Sequence, residues 1–234
     1  MRECRPSCGG CQGGRPPVEA GPARAIGAAE RRATVTGSLP DASFWINTVR
    51  RVSVVGTSGV GKSTVASSLA LVLGAVFLEL DSLQHQADWT PLPTPEFRAR
   101  VALAAEGECW VIDGNYRRVQ DIVWARADTV VWLDLPRRTV MRRVIWRTLR
   151  RIGGRVELWN GNRERWRNFF TLDKEESVIA WAWQTHASNR ARYEAAIADP
   201  AYGHLRFVRL RSPAEVRRFL RSVSAEVVAG PGGR

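Results

Sequence analysis

The chain has 234 residues, a hydrophobic fraction of 44% and a formal net charge of +12. No apolar run reaches the roughly 20 residues that a membrane-spanning helix needs, and we see no signal-peptide pattern, so we expect a soluble protein. The length suits one α/β domain with a proper core, and we expect a monomeric cytoplasmic protein.

The first 48 residues are rich in Gly, Pro, Ala and Arg and have no sustained hydrophobic periodicity. This composition predicts a disordered tail over residues 1–48. The three cysteines of the tail supply too few ligands for a zinc site, and the fourth, Cys109, falls in a predicted buried strand. Because a valine codon can start translation, a second hypothesis is that the natural chain begins at Val49.

The segment VVGTSGVGKSTVA, residues 54–66, carries the pattern G-x-x-x-x-G-K-[ST] between two apolar runs. Glycines allow the backbone to wrap around phosphate oxygens, and the N–H groups at the following helix N-terminus point at them. We expect Lys62 to bridge the terminal phosphates of ATP and Ser63 to ligate Mg²⁺. The predicted nucleotide-binding loop consists of Gly56, Thr57, Ser58, Gly59, Val60, Gly61, Lys62, Ser63 and Thr64.

Strand-like runs alternate with helix-like sequence along the chain. The alternation predicts an α/β fold of the P-loop NTPase type, with a five-stranded parallel sheet and helices on both faces. Ligands bind at the carboxyl ends of the strands in such sheets. Asp81 follows the second run and Asp113 ends the third, so both are candidates for chemistry, with simple strand-end capping as the alternative. The runs are 51–55, 75–80, 109–113, 129–135 and 204–210.

The end of the predicted domain is marked by the sequence SPAEVRRFL after the fifth strand. There Ser212 and Glu215 have the spacing of a capping box, which predicts the start of a helix. The predicted domain therefore covers residues 49–223, and residues 224–234 are expected to form a flexible C-terminus.

An arginine-rich segment covers residues 137–167, which contain eleven arginines and only two acidic residues, both glutamates. This charge density predicts an anionic partner, either the phosphates of a small molecule or a nucleic-acid backbone. Arg143 and Arg147 are four residues apart and share one helical face, opposite an apolar stripe that includes Met141 and Ile145. Guanidinium groups suit bidentate contact with phosphate.

Two segments resemble a known family. VIDGNYR, residues 111–117, resembles the Asp-Gly-x-x-Arg segment of adenylate kinase and other nucleoside monophosphate kinases. LDLPRRTVMRRVIWR, residues 133–147, resembles the strand and arginine-bearing helix that lead into their lid. The chain is most similar to the adenylate-kinase-related proteins called DNA topology modulation proteins, which share the phosphate loop, Asp-Gly-Asn-Tyr and a late Trp-x-Trp. The resemblance extends over roughly residues 50–222.

The resemblance implies roles for individual residues on the acceptor side and at the metal. Asp113 would lie beside the magnesium ion through water, and Ser63 would be its ligand from the loop. Arg117 matches the family arginine that holds the acceptor phosphate, and Arg98 is placed like a second acceptor-side arginine. Asp81 would orient an acceptor hydroxyl, as in shikimate-kinase-like relatives.

The resemblance also implies a lid over residues 148–170. Arg143 and Arg147, on the helix leading into the lid, would neutralise charge on the transferring phosphoryl group. Arg163 would close over the bound phosphates and help to exclude water.

The sequence therefore predicts a phosphotransferase that uses ATP and Mg²⁺ to phosphorylate a nucleotide-like or other small acceptor. The alternative is a nucleotide-binding regulator that binds nucleic acid through the arginine-rich segment. Lys62, Ser63 and Asp113 favour the enzyme, because a regulator that only retains the fold does not need all three groups of the transfer site.

Overall fold

The computed structural model describes residues 45, 48–153, 159–162 and 178–224, of which residues 151–153, 159 and 178 are described by their backbone alone. The predicted tail apart from Trp45 and Thr48, most of the predicted lid, and all but the first residue of the predicted C-terminal segment lie outside the described residues.

The strands are β1 Arg51–Gly56, β2 Val76–Glu79, β3 Trp110–Asp113, β4 Thr129–Leu133 and β5 Arg206–Leu210. The helices are α1 Lys62–Leu73, α2 Leu80–Gln84, α3 Thr94–Ala104, α4 Arg117–Arg126, α5 Arg137–Gly153, α6 Val178–Ala198 and α7 Pro213–Ser224. Short 3₁₀ turns occur at Ala87–Trp89, Trp159–Gly161 and Pro200–Tyr202. Among the described helices, none combines the length and the apolarity required to cross a bilayer.

The five strands form one parallel sheet in the order β2-β3-β1-β4-β5. This confirms the predicted five-stranded parallel sheet of a P-loop NTPase. The strand β1 lies in the middle of the sheet, and the chain crosses from one side of it to the other between β3 and β4. A crevice for ligands opens at the carboxyl end of the central strand of such a sheet.

Helices cover both faces of the sheet, as predicted. Alternate residues of a strand point to opposite faces, and in β1 Val54 packs with α1, α5 and α7 while Val55 packs with α3, α4 and α6. Because both faces are covered, five of the six residues of β1 are buried, which is typical of a central parallel strand. The hydrophobic core around Val54 is the first core, and the core around Val55 is the second. Together they hold the sheet, and the site is built at the carboxyl edge of its strands.

The outermost elements of the first core are held by specific contacts. Trp45 is fully buried and its ring lies edge-on to that of Phe219 in α7, at 5.0 Å between centroids. At the start of α7, the predicted capping box is present: Glu215 N–H donates to Ser212 Oγ (3.1 Å), and Arg211 N–H donates to Glu215 Oε2 (2.8 Å).

The buried face of α5 differs from the stripe expected from the sequence. Val140 and Val144 are buried, whereas Ile145 is 38% exposed and Met141 is half-buried. The cause is the close approach of α5 to the phosphate loop at Gly59, which has a φ of 77°. A Cβ atom on Gly59 would lie 2.1 Å from Val144 Cγ2, so only glycine permits this contact. The helix that carries the arginines therefore packs directly on the loop.

Candidate active site at the carboxyl edge of the sheet

The predicted phosphate loop connects β1 to α1 at the carboxyl edge of the sheet. Its glycines at 56 and 61 have φ values of 148° and 104°, and Val60 N–H donates to Thr57 O (3.2 Å) to close a turn inside the loop. Gly61 is the N-cap of α1, and no side chain caps the helix there. The first N–H groups of α1 thus lack the side-chain oxygen that usually satisfies them, which leaves them suited to an anion.

Asn115 holds the first residue of this loop on both sides. Gly56 N–H donates to Asn115 Oδ1 (3.0 Å), and Asn115 Nδ2 donates to Gly56 O. Tyr193 of α6 donates to the same Oδ1 (2.9 Å), and Arg192 Nη2 donates to the Tyr193 hydroxyl (2.7 Å). The network ties the loop to β3 and to α6. The sequence analysis assigned Asn115 no role, although it lies directly after the strand-end Asp-Gly pair.

Ser63 is the point where two carboxylates meet. Its Oγ lies 2.7 Å from Glu79 Oε1 and 2.6 Å from Asp113 Oδ2. A hydroxyl has one proton and cannot donate to both oxygens at once. The other oxygen of Asp113, Oδ1, is buried and has no hydrogen-bond partner in the described structure. A partly buried set of oxygen atoms with surplus acceptors fits a hard divalent cation such as Mg²⁺.

Glu79 is a member of this set that the sequence analysis missed. The expected second strand ran to residue 80, so only Asp81 beyond it was considered. In the structure β2 ends at Glu79, and its side chain reaches Ser63 of the loop. The signal was present in the sequence, because a glutamate near a strand end within an apolar run is unusual.

The electrostatics of Asp113 reflect its burial among like charges. The carboxyl group is 3% exposed, and burial raises its pKa from 3.8 to about 6. Lys62 and the Ser63 hydrogen bond act in the opposite direction, while Asp81 and Glu79 raise the pKa further. Lys62, Ser63, Glu79, Asp81 and Asp113 are therefore close enough to form one electrostatic cluster.

On the acceptor side, Asp81 is paired with Tyr116. The Tyr116 hydroxyl donates to Asp81 Oδ1 (2.6 Å), and His85 Nε2 lies 3.4 Å from the same hydroxyl. Burial and the negative charge of Asp81 raise the pKa of Tyr116 above its ordinary value, so the hydroxyl keeps its proton. Burial lowers the pKa of His85 below 6.5, so its imidazole is neutral at pH 7. Asp81 therefore accepts a hydrogen bond from a tyrosine hydroxyl that stays protonated.

The predicted arginines have different positions. Arg143 Nη1 donates to Val60 O (2.7 Å), so its guanidinium lies against the phosphate loop, and Arg147 is half-buried one turn further along α5. Arg117 is exposed at the first residue of α4. Arg98 forms an ion pair with Asp121 (2.7 Å) and donates to a backbone carbonyl of α4, which links α3 to α4. Arg163 lies outside the described residues.

No protein-family model and no curated protein sequence matches the chain. Among solved structures it is similar to a gluconokinase from Sinorhizobium meliloti (18% identity, 77% of this chain and 92% of that one, TM-score 0.45). It is also similar to shikimate kinases from Acinetobacter baumannii, in complex with shikimate (16%, 83% and 100%, TM-score 0.47), and Bacteroides thetaiotaomicron (15%, 77% and 99%, TM-score 0.44). These are kinases with the same general fold.

Proposed function

We propose that the chain is an adenylate-kinase-like phosphotransferase, which transfers the γ-phosphoryl group of ATP to a nucleotide-like or other small acceptor. The observation that carries the proposal is the meeting of Glu79 and Asp113 at Ser63, directly beside the helix N-terminus of the loop. A loop that only bound phosphate would not need a buried and a half-buried carboxylate at its serine. Their presence supports a bound divalent cation, which phosphoryl transfer requires.

The residues of the phosphate side would act by position and charge. The N–H groups of the loop would hold the phosphates, and Lys62 and Arg143 would neutralise negative charge on the transferring oxygens. Ser63, with Asp113 and Glu79, would hold Mg²⁺, which when bound supplies a Lewis acid for the phosphate oxygens. The contact between Val144 and Gly59 packs α5 against the loop, and this keeps the Arg143 guanidinium within hydrogen-bond distance of Val60 O.

On the acceptor side, Asp81 would orient the attacking group. With Tyr116 donating to one of its oxygens, the carboxylate can accept a hydrogen bond from an acceptor hydroxyl and take its proton as the bond to phosphorus forms. Arg117, which is exposed at the start of α4, would hold an anionic group of the acceptor, the role that the resemblance implies. The acceptor class is therefore a small molecule with a nucleophilic oxygen.

The proposal is tested by an ATP-consumption screen with Mg²⁺ against nucleoside monophosphates, nucleosides and small alcohols. We expect ADP release that depends on one class of acceptor and on the metal. An absence of acceptor-dependent ADP release across the whole panel would count against the kinase.

A second candidate function is supported by a separate observation on α5. Arg138, Arg142, Trp146 and Arg150 recur every fourth residue and form an exposed outer row, in which Trp146 is 70% exposed. On the opposite side of the helix Val144 packs on the phosphate loop, so the outer row faces away from the phosphates. Arginines with an exposed aromatic ring are suited to the backbone and the unstacked bases of single-stranded nucleic acid.

The neighbouring residues Arg142 and Arg143 separate the two functions. Arg143→Ala should lower kcat on the order of 10²-fold, since it removes a charge at the loop, while Arg142→Ala should leave turnover unchanged. If the outer row binds a single-stranded oligonucleotide, Arg142→Ala should reduce the salt slope of binding by about one. Steady-state kinetics and a salt titration of binding on the same two variants measure both effects.

Equal turnover in the two variants would contradict the role given to Arg143. Oligonucleotide binding that is absent, or that is equally affected by both substitutions, would remove the second candidate. Stronger binding of duplex than of single-stranded DNA would also contradict it, because stacking on Trp146 needs unpaired bases.

A further inference from the structure

Two segments that are far apart in the sequence meet beside Asp81 and His85, on the acceptor side of the site. One is the loop of residues 85–91, which follows α2, and the other is the turn of residues 159–162, which follows α5. They are joined by hydrogen bonds between the side chains of two asparagines of the turn, Asn160 and Asn162, and backbone groups of the 82–89 stretch. We call this contact the asparagine joint.

Asn162 fills the inside of the loop. Its Nδ2 donates to Gln86 O (2.8 Å), and Trp89 N–H donates to its Oδ1 (2.8 Å). The residue is 4% exposed, so both bonds are shielded from water. The loop around it is closed by its own bonds, from Gln86 N–H to Thr90 O (2.9 Å) and from Leu92 N–H to Gln84 O (2.9 Å). One side-chain amide therefore satisfies two backbone groups that the loop cannot pair internally.

Asn160 holds the end of α2. Its Nδ2 lies 2.6 Å from His85 O and 3.3 Å from Ser82 O, two carbonyls at the C-terminal end of this five-residue helix. Helix ends leave such carbonyls without partners, and a helix this short has little stability of its own. Because α2 carries Asp81 and is followed by His85, the hydrogen bond from Asn160 helps to fix the position of the Asp81 carboxylate.

The backbone at this contact is strained. Asp88, Trp89 and Asn160 have φ values of 55°, 58° and 55°, and they are the non-glycine residues with positive φ in the described part of the chain. A left-handed conformation is costly for a residue with a large side chain and persists where surrounding contacts enforce it. Asp and Asn tolerate this conformation, so the cost falls on Trp89, whose backbone N–H is held by Asn162 Oδ1.

We propose that Asn160 and Asn162 are positioning residues of the acceptor site. Through the asparagine joint, the turn 159–162 holds α2 and the loop 85–91 in place, so that Asp81 and His85 face the bound acceptor. The proposal rests on the proposed phosphotransferase function for the acceptor itself. It assigns the turn to the acceptor side of the site, whereas the sequence analysis counted it among the residues of a lid over the nucleotide.

The test compares Asn162→Asp with Asn189→Asp, the same substitution on α6, where Asn189 takes no part in the four bonds of the joint. The Asn162→Asp variant loses the amide donor and places a carboxylate oxygen against Gln86 O. Hydrogen exchange, followed by mass spectrometry without ligand, should become about tenfold faster in residues 80–92 of this variant and stay unchanged in the phosphate loop. Unchanged exchange in residues 80–92 would overturn the proposal.

A second variant, Asn160→Gly, guards against misfolding, because glycine tolerates the positive φ and removes only the amide. With an accepted substrate, both variants should lower kcat/KM for the acceptor about tenfold and leave the Kd for ATP unchanged. Faster exchange with an unchanged acceptor kcat/KM would overturn the positioning role. If the unaltered protein fails to bind ATP at all, the phosphotransferase is refuted instead, and the exchange result still decides whether the joint holds α2.

Discussion

Replacement of Lys62 by alanine should reduce phosphoryl transfer by at least about 10³-fold while the protein remains folded. The lysine acts on charge that develops as the phosphoryl group moves. Arg143, whose guanidinium lies against the loop at Val60 O, contributes its own charge in both proteins and does not replace the charge that is lost. Acceptor-dependent ADP formation measures the loss, and thermal unfolding shows that the fold is kept.

Two further substitutions show that charge is the cause. Lys62→Met, which keeps most of the side-chain length, should be as inactive as Lys62→Ala. Lys62→Arg should retain part of the activity, because it keeps the positive charge beside Asp113, whose pKa Lys62 lowers. Turnover at the level of the unaltered protein in the alanine and methionine variants would refute the kinase.

Asp113→Asn should abolish transfer and at the same time stabilise the protein in the absence of Mg²⁺. Burial raises the pKa of Asp113 from 3.8 to about 6. The unfolded chain therefore loses this proton at lower pH than the folded one, and the free energy of unfolding decreases as pH rises between these two values. Above pH 6 the folded protein carries a buried charge at full cost. Asparagine removes that cost, by on the order of 2 kcal/mol at pH 8 and by little at pH 4.

Urea unfolding in EDTA at the two pH values measures this effect. Asp121→Asn is the matched control, because the hydrogen bond from Arg98 lowers the pKa of Asp121 and the same substitution there should not stabilise the protein. An Asp113→Asn variant that is no more stable than the unaltered protein at pH 8 would show that burial of the carboxylate is not costly. The proposed Mg²⁺ site at Ser63, Glu79 and Asp113 would then lose its electrostatic support.

The sheet could be predicted from the sequence because its signals are local. Each strand of the structure falls within its expected run, to within one or two residues at the ends, since apolar runs bounded by Gly, Pro or Asp define central parallel strands. The phosphate loop and the position of Asp113 follow from the motif and from the strand end after it. These elements need no knowledge of distant contacts.

The parts that could not be predicted depend on contacts between distant residues. The sequence pattern predicted Met141 and Ile145 on one apolar stripe of α5, whereas Val140 and Val144 are the buried residues. The reason is that Gly59 of the loop lets Val144 approach its backbone closely. The loop 85–91 is held by Asn162, more than 70 residues further along the chain, and nothing in either segment signals the pairing. Asn115 and Tyr193 are likewise joined across the fold. The long-range contacts that hold the site residues are therefore the part that only the structure reveals.

The proposed function requires that the γ-phosphoryl group moves directly from ATP to an acceptor at this site. The most direct measurement uses ATP labelled with ³²P in the γ-phosphate, with Mg²⁺ and each acceptor of the panel, and follows the label. We expect labelled acceptor and ADP in equal amounts with the unaltered protein, and neither with Lys62→Ala. Label that appears only as inorganic phosphate at the same rate with or without acceptor, or that remains in ATP throughout the panel, would contradict the proposed function.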